Sequence, residues 1–80
     1  MKLYKLYQTV NNNWDTYDSV VVAAMSIAEA KMIHPENIEW NGEYQKWDSW
    51  CAVEDVKAEY LGTAKPGTKK GVVLGSFNAG

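Results

Sequence analysis

Between Asp15 and His34 the chain changes its hydrophobic period, and that switch sharply limits what it can fold into. Thr16 to Ala24 is a short, valine-rich run that follows turn residues, which reads as a strand. Val20 and Val22 oppose Val21 and Ala23, so this strand is apolar on both faces, as a central or doubly covered strand is. Ser26 then opens a short helix. Ser26-Ile27-Ala28-Glu29 is a capping box, in which the hydroxyl accepts an orphan N–H and the glutamate reaches back, and Met25 and Ala30 occupy the staple positions. Ile27, Ala30 and Ile33 fall at helical spacing toward the sheet, with Glu29 and Lys31 outward. Pro35 ends the helix at His34 or just before it. A strand feeding directly into a helix predicts an α+β core.

The flanking segments supply the other strands. Lys2 to Val10 reads as a strand with Tyr4, Leu6 and Val10 on one face and Leu3 and Tyr7 on the other. Asn11-Asn12-Asn13 then turns the chain into a hairpin with the second strand. Val56 to Leu61 alternates, with Val56, Ala58 and Tyr60 against Lys57 and Glu59, which suits an edge strand with one wet face. Gly71 to Asn78 is the last strand, apolar on both faces, and Gly75 within it marks a bulge or a close backbone approach. The expected fold is ββαββ, a four-stranded antiparallel sheet of order 1-2-4-3 with one helix on one face. On this reading the opposite face stays partly apolar, to be covered by the Trp-rich connection or by a second subunit, so a homo-oligomer is expected.

Eighty residues make a single domain, 1–80. At roughly 0.05–0.15 kcal/mol per residue its stability is about 4–12 kcal/mol, so covering apolar surface matters. The formal charge is −2, there is no arginine, and the lysines are scattered, although Lys69-Lys70 stands ready to meet a phosphate at the final turn. Without a basic stripe, nucleic-acid binding is disfavoured. Lys5 and Gln8 break any leader-like run at the N-terminus, and no segment approaches the ~18 apolar residues of a membrane span. Cys51 is the only cysteine, so no intrachain disulfide is available, and the expected setting is a reducing cytoplasm.

Little in the chain speaks for catalysis. One histidine and one cysteine do not make a structural zinc site. Nothing near Cys51 would lower its pKa, no nucleophile elbow or phosphate loop is present, and no cofactor is expected. His34 reads either as a helix C-terminal residue favoured by the dipole or as a hydrogen-bond donor to a ligand. Asp18, beside Tyr17 at the start of an apolar strand, either closes a turn or accepts from a ligand hydroxyl. Residues 36 to 52 hold Trp40, Tyr44, Trp47 and Trp50. The spacing of the first three would put them on one face of a short helix, although Asn41-Gly42 argues against an unbroken one. These aromatics serve as core or as a stacking wall or interface anchor. Trp14, beside the asparagine turn, should be exposed or packed on the neighbouring loop. In the ending Ser76-Phe77-Asn78-Ala79-Gly80, Phe77 should anchor the strand in the core, leaving Asn78 and the terminal carboxylate at a sheet end.

Tyr17-Asp18-Ser19, Ser26-x-x-Glu29-Ala30, Ile33-His34-Pro35, Gly71-Val72 and the ending Ser76 to Gly80 resemble a family of small proteins encoded by phages and prophage-like elements. The resemblance spans nearly the whole chain. It implies a compact, non-enzymatic phage protein acting against host defence in the host cytoplasm. Two roles follow: sequestration of a host nucleotide-derived immune signal, which the mild charge and an aromatic pocket favour, or inhibition of a host defence protein complex through the Trp-rich surface; a structural or housekeeping phage protein is the third. For the first, the candidate ligand-binding residues are Tyr17, Asp18, His34, Trp40, Tyr44, Trp47, Trp50 and Asn78.

Overall fold

The computed structural model describes residues 1–12 and 14–78. The expectations attached to Asn13, Ala79, Gly80 and the terminal carboxylate lie outside these residues. Strands β1 (Lys2–Tyr7) and β2 (Thr16–Ala24) form the predicted hairpin. Helix α1 (Ile27–Lys31) follows, then a long irregular connection ending in a single 3-10 turn at Val53–Asp55, then β3 (Lys57–Thr63) and β4 (Gly71–Asn78). The four strands make one antiparallel sheet with a single short helix against it, the expected α+β class.

Strand pairs 1-2 and 2-4 stand as expected, but the observed order is β3-β1-β2-β4. The third strand lies beside β1 instead of β4. The expectation ranked strands by apolarity and gave β4 an inner place. Its Gly71, Gly75 and Ser76, however, leave β4 little side chain to bury between two neighbours, whereas β1 offers Tyr4 and Leu6 to the core and Leu3 and Tyr7 to the other face. The inner places therefore go to β1 and β2. Tyr4 pairs across with Tyr60 as an edge-to-face couple 5.8 Å apart, and the Ala64 N–H donates to the Met1 carbonyl at 2.8 Å, closing β3 onto β1.

The N-cap forms as the capping box requires, since Ser26 Oγ accepts from the Glu29 N–H at 3.2 Å. The glutamate, however, accepts from the Met25 N–H, one residue before the cap. Met25 is exposed, so no staple forms, and Ile27 is half exposed while Ala30 and Ile33 alone carry the buried stripe. Strand β1 stops before Val10, which is exposed; Gln8 takes the core position at that end.

One core fills the space between the sheet and the helix: Tyr4, Leu6, Val20, Val22 and Ala24 from the strands, Ala30 from the helix and Ile33 just after it, and Trp50, Cys51 and Val56 from the connection. The Trp-rich connection thus packs on the helix face. It does not cover the opposite sheet face, where Leu3, Tyr7, Ser19 and Val21 are half buried and Leu74 and Lys5 exposed. Lys5 lies on β1, an inner strand, so a charge stands in the middle of that open face.

Candidate functional site

Residues 36 to 52 contain no helix. Asn41-Gly42 breaks the helical spacing as its chemistry suggests. Gly42 has φ +88°, and a Cβ there would lie 2.9 Å from Val53 Cγ1, so both backbone and packing require glycine. The Val53 N–H donates to the Gly42 carbonyl at 2.7 Å. Asn41 Oδ1 accepts from the Glu43 N–H at 2.9 Å, and Trp40 Nε1 donates to the Glu43 carbonyl at 2.9 Å. Local polar bonds thus replace the helical ladder.

A buried polar network fastens this connection to the sheet. Gln8 Oε1 accepts from the N–H groups of Val10 and Asn11, while Gln8 Nε2 donates to the carbonyls of Asn11 and Tyr17. Asn11 Nδ2 then donates to the carbonyls of Asp48 and Trp50, at 2.9 and 2.8 Å. The Tyr17 N–H donates to the Ser49 carbonyl, and Ser49 Oγ donates to Glu36 at 2.6 Å. From the helix end, His34 Nδ1 accepts the Glu36 N–H at 3.0 Å, which leaves the ring proton on Nε2 to donate to Asp48 Oδ1 at 2.7 Å. Trp50 completes the anchoring as the largest fully buried side chain, with its Nε1 unpartnered.

What the scaffold holds out is Trp47. The Asp48 N–H donates to the Gln45 carbonyl at 2.9 Å, closing a turn with Lys46 and Trp47 at its centre. Trp47 has φ +68°. The third position of such a turn favours glycine or asparagine, because a Cβ there meets the neighbouring carbonyl. Among the described residues the other non-glycine positions with positive φ are Asp15 and Asn37, the types that tolerate it. Trp47 is nonetheless 87% exposed, with Lys46 Nζ 5.6 Å from its ring centre. Ile38, Trp40 and Trp47 line a groove of about 420 Å³ together with Glu39, Lys46 and Asp48.

The predicted site residues therefore separate. Trp40 and Trp47 share the groove, and the rings of His34 and Trp40 meet edge to face with centres 5.6 Å apart. His34 is buried and bonded on both ring nitrogens, so it positions the connection and leaves no nitrogen for a ligand. Trp50 belongs to the core. Tyr44 is half exposed and lines a different hollow, of about 450 Å³, with Val10, Cys51 and Glu54. Tyr17 packs against the core and against Phe77, at 4.9 Å between ring centres, and fills the space where a Cβ of Gly75 would stand. Phe77 itself remains half exposed, so it does not anchor β4 in the core. Asp18 is exposed, and its carbonyl accepts from Gln8; Asn78 pairs with Thr16, its carbonyl accepting from the Asp15 N–H at 2.7 Å. Trp14 is exposed, as expected. Sequence reasoning missed Gln8, Asn11 and Asp48. The first was signalled by the register itself, since Gln8 shares the face of Tyr4, Leu6 and Val10.

His34, Glu36 and Asp48 bring ligand atoms within 4.8 Å of one another, the one such group among the described residues. All three already bond protein partners, and the 2.7 Å between His34 Nε2 and Asp48 is a hydrogen-bond distance. Ligand atoms about 2.0–2.1 Å from a tetrahedral zinc would stand farther apart. Cys51 is buried, and burial, with the charges of Asp55 and Asp48 added, pushes its thiol up to about 12, which disfavours the thiolate at neutral pH. No helix among the described residues is long and apolar enough to cross a membrane. Comparison of the chain with family models, with curated proteins and with solved structures gives no match in any of the three.

Proposed function

We propose that this protein is a non-enzymatic binding module that docks on a protein partner through the surface around Trp47. One observation carries this reading: a tryptophan is held almost wholly in solvent at a left-handed backbone position that costs of order 1 kcal/mol or more. Such strain, together with the large exposed ring, suits an interface anchor, and tryptophan is among the residues that dominate interface energetics. Ile38 and Tyr44 add exposed apolar surface on the same connection. That the partner belongs to a host defence complex rests on the resemblance to phage proteins alone.

A stacked nucleotide-like ligand is the second reading, favoured by the groove that Trp40 and Trp47 share. It is the weaker one, because Lys46 is the sole cation on that groove while Glu39 and Asp48 also line it. The test is a paired capture. Immobilised wild-type protein and Trp47→Ala are exposed to lysate from defence-active cells, and retained material is examined both for polypeptides and, after heating, for released small molecules. A polypeptide held by the wild type and lost from Trp47→Ala is the expected result. A released nucleotide without a polypeptide would shift the assignment to the second reading, and equal retention by both proteins would overturn the docking surface.

A further inference from the structure

The sheet has two edges, and they are treated differently. Edge strand β3 carries Lys57 and Glu59, and its ladder with β1 is interrupted between Leu3 and Tyr4. Such charges keep an edge from pairing with another chain, whereas the ladder interruption is shared with β4. Edge strand β4 has neither charge nor proline from Gly71 to Asn78. Its residues are exposed from Val73 onward, Leu74 at 68%. Its ladder with β2 shifts register at Tyr17–Ser19 and again at Val21–Val22, where Val73 of β4 is the extra residue.

The ends of β4 carry opposite signs. Lys69 and Lys70 precede it, both exposed, with Lys70 Nζ 3.9 Å from Glu29 of the same chain. At its far end Asn78 pairs with Thr16 of β2, and Asp18, two residues further along β2, is exposed. An antiparallel pairing of β4 with its own copy therefore lays the basic end of each strand on the acidic end of the other. Residues 70 to 78 are symmetric about Leu74, and a two-fold axis normal to the sheet keeps each side chain on its own face, so Leu74 meets Leu74.

We propose that β4 is a self-association edge: two copies join antiparallel through β4 about a two-fold axis at Leu74, forming one continuous eight-stranded sheet. The occupant is a second copy because the charge pattern is self-complementary, which an unrelated extended peptide would not need. The inference is independent of Trp47, since the groove at that residue contains no part of β4.

Native mass spectrometry of the purified chain at tens of micromolar should show a dimer. Leu74→Lys should give a monomer with an unchanged circular dichroism spectrum, the side chain being mostly in solvent. Lys70→Glu and Asp18→Lys should each weaken the dimer about tenfold, and mixing the two variants should restore a mixed dimer. Under mild oxidation Leu74→Cys should cross-link to a covalent dimer, whereas wild type, whose Cys51 is buried, should not. A wild-type monomer, a dimer indifferent to Leu74→Lys, or charge variants that fail to recombine would each overturn the proposal.

Discussion

Replacing Trp47 by asparagine should abolish partner capture while leaving the fold as stable as before or slightly more so. The ring is 87% exposed, so truncation returns little area to water. For a side chain of roughly 250 Å², that is about 30 Å², or about 0.8 kcal/mol. Losing the Lys46 contact removes about 0.5 kcal/mol more at an exposed site. Against these stands the left-handed backbone at φ +68°, which costs an ordinary residue about 1–2 kcal/mol and asparagine far less. The terms nearly cancel, leaving between a loss of about 0.3 and a gain of about 0.7 kcal/mol. For a domain of this size 1 kcal/mol shifts Tm by roughly 4–8 °C. Thermal unfolding by circular dichroism should accordingly show a Tm unchanged or raised by a few degrees. A fall of about 10 °C would mean that the ring holds the fold together. Retained capture would mean that strain and exposure at Trp47 serve no binding role.

The remaining predictions concern the scaffold and its thiol. Trp50→Ala should cost about 3–5 kcal/mol in denaturant unfolding, most of the margin of so small a domain, whereas Trp50→Phe should cost much less because it also removes an unpartnered buried N–H. His34→Ala leaves Asp48 Oδ1 with only the longer bond from the Trp50 N–H, at 3.3 Å, and should cost about 1–3 kcal/mol, with faster amide exchange confined mainly to residues 36–50; a loss spread evenly over the sheet would contradict the positioning role given to this ring. Cys51 titrates higher when folded than its ordinary value of 9.0, so its contribution is complete below pH 9 and is lost as pH rises toward 12. Alkylating reagents should accordingly leave it untouched in the folded protein at pH 8.5 and label it once denaturant is added, and rapid labelling of the native chain would count against burial.

The strand-to-helix unit was legible because its signals are local. Val20 and Val22 alternate with Val21 within a few residues, and the Ser26–Glu29 cap acts over one turn. The place of β3 was not legible. It depends on whether β1 or β4 has enough side chain to fill an inner position, and that comparison runs across the whole chain. The aromatic segment divided in a way that spacing alone does not reveal. Trp40, Tyr44 and Trp47 fit a helical face on paper, yet Gly42 and the turn at Gln45–Asp48 scatter them: Trp40 packs half buried against the core, Tyr44 and Trp47 stay exposed, and Trp50 is fully buried. His34 was recognised as worth attention, but its partner Asp48 lies fourteen residues on, brought back only by the fold.

By itself, then, the sequence determined the α+β class, the first hairpin, the capped helix and the limits of β2 and β4, since these follow from periodicity and short-range hydrogen bonding. Tertiary structure alone decided the neighbour of β3, the burial of His34, and the exposure of Trp47 beside the burial of Trp50. Those outcomes turn on which of several similar side chains wins a limited interior, and on long-range polar bonds from Gln8 and Asn11 that settle the contest.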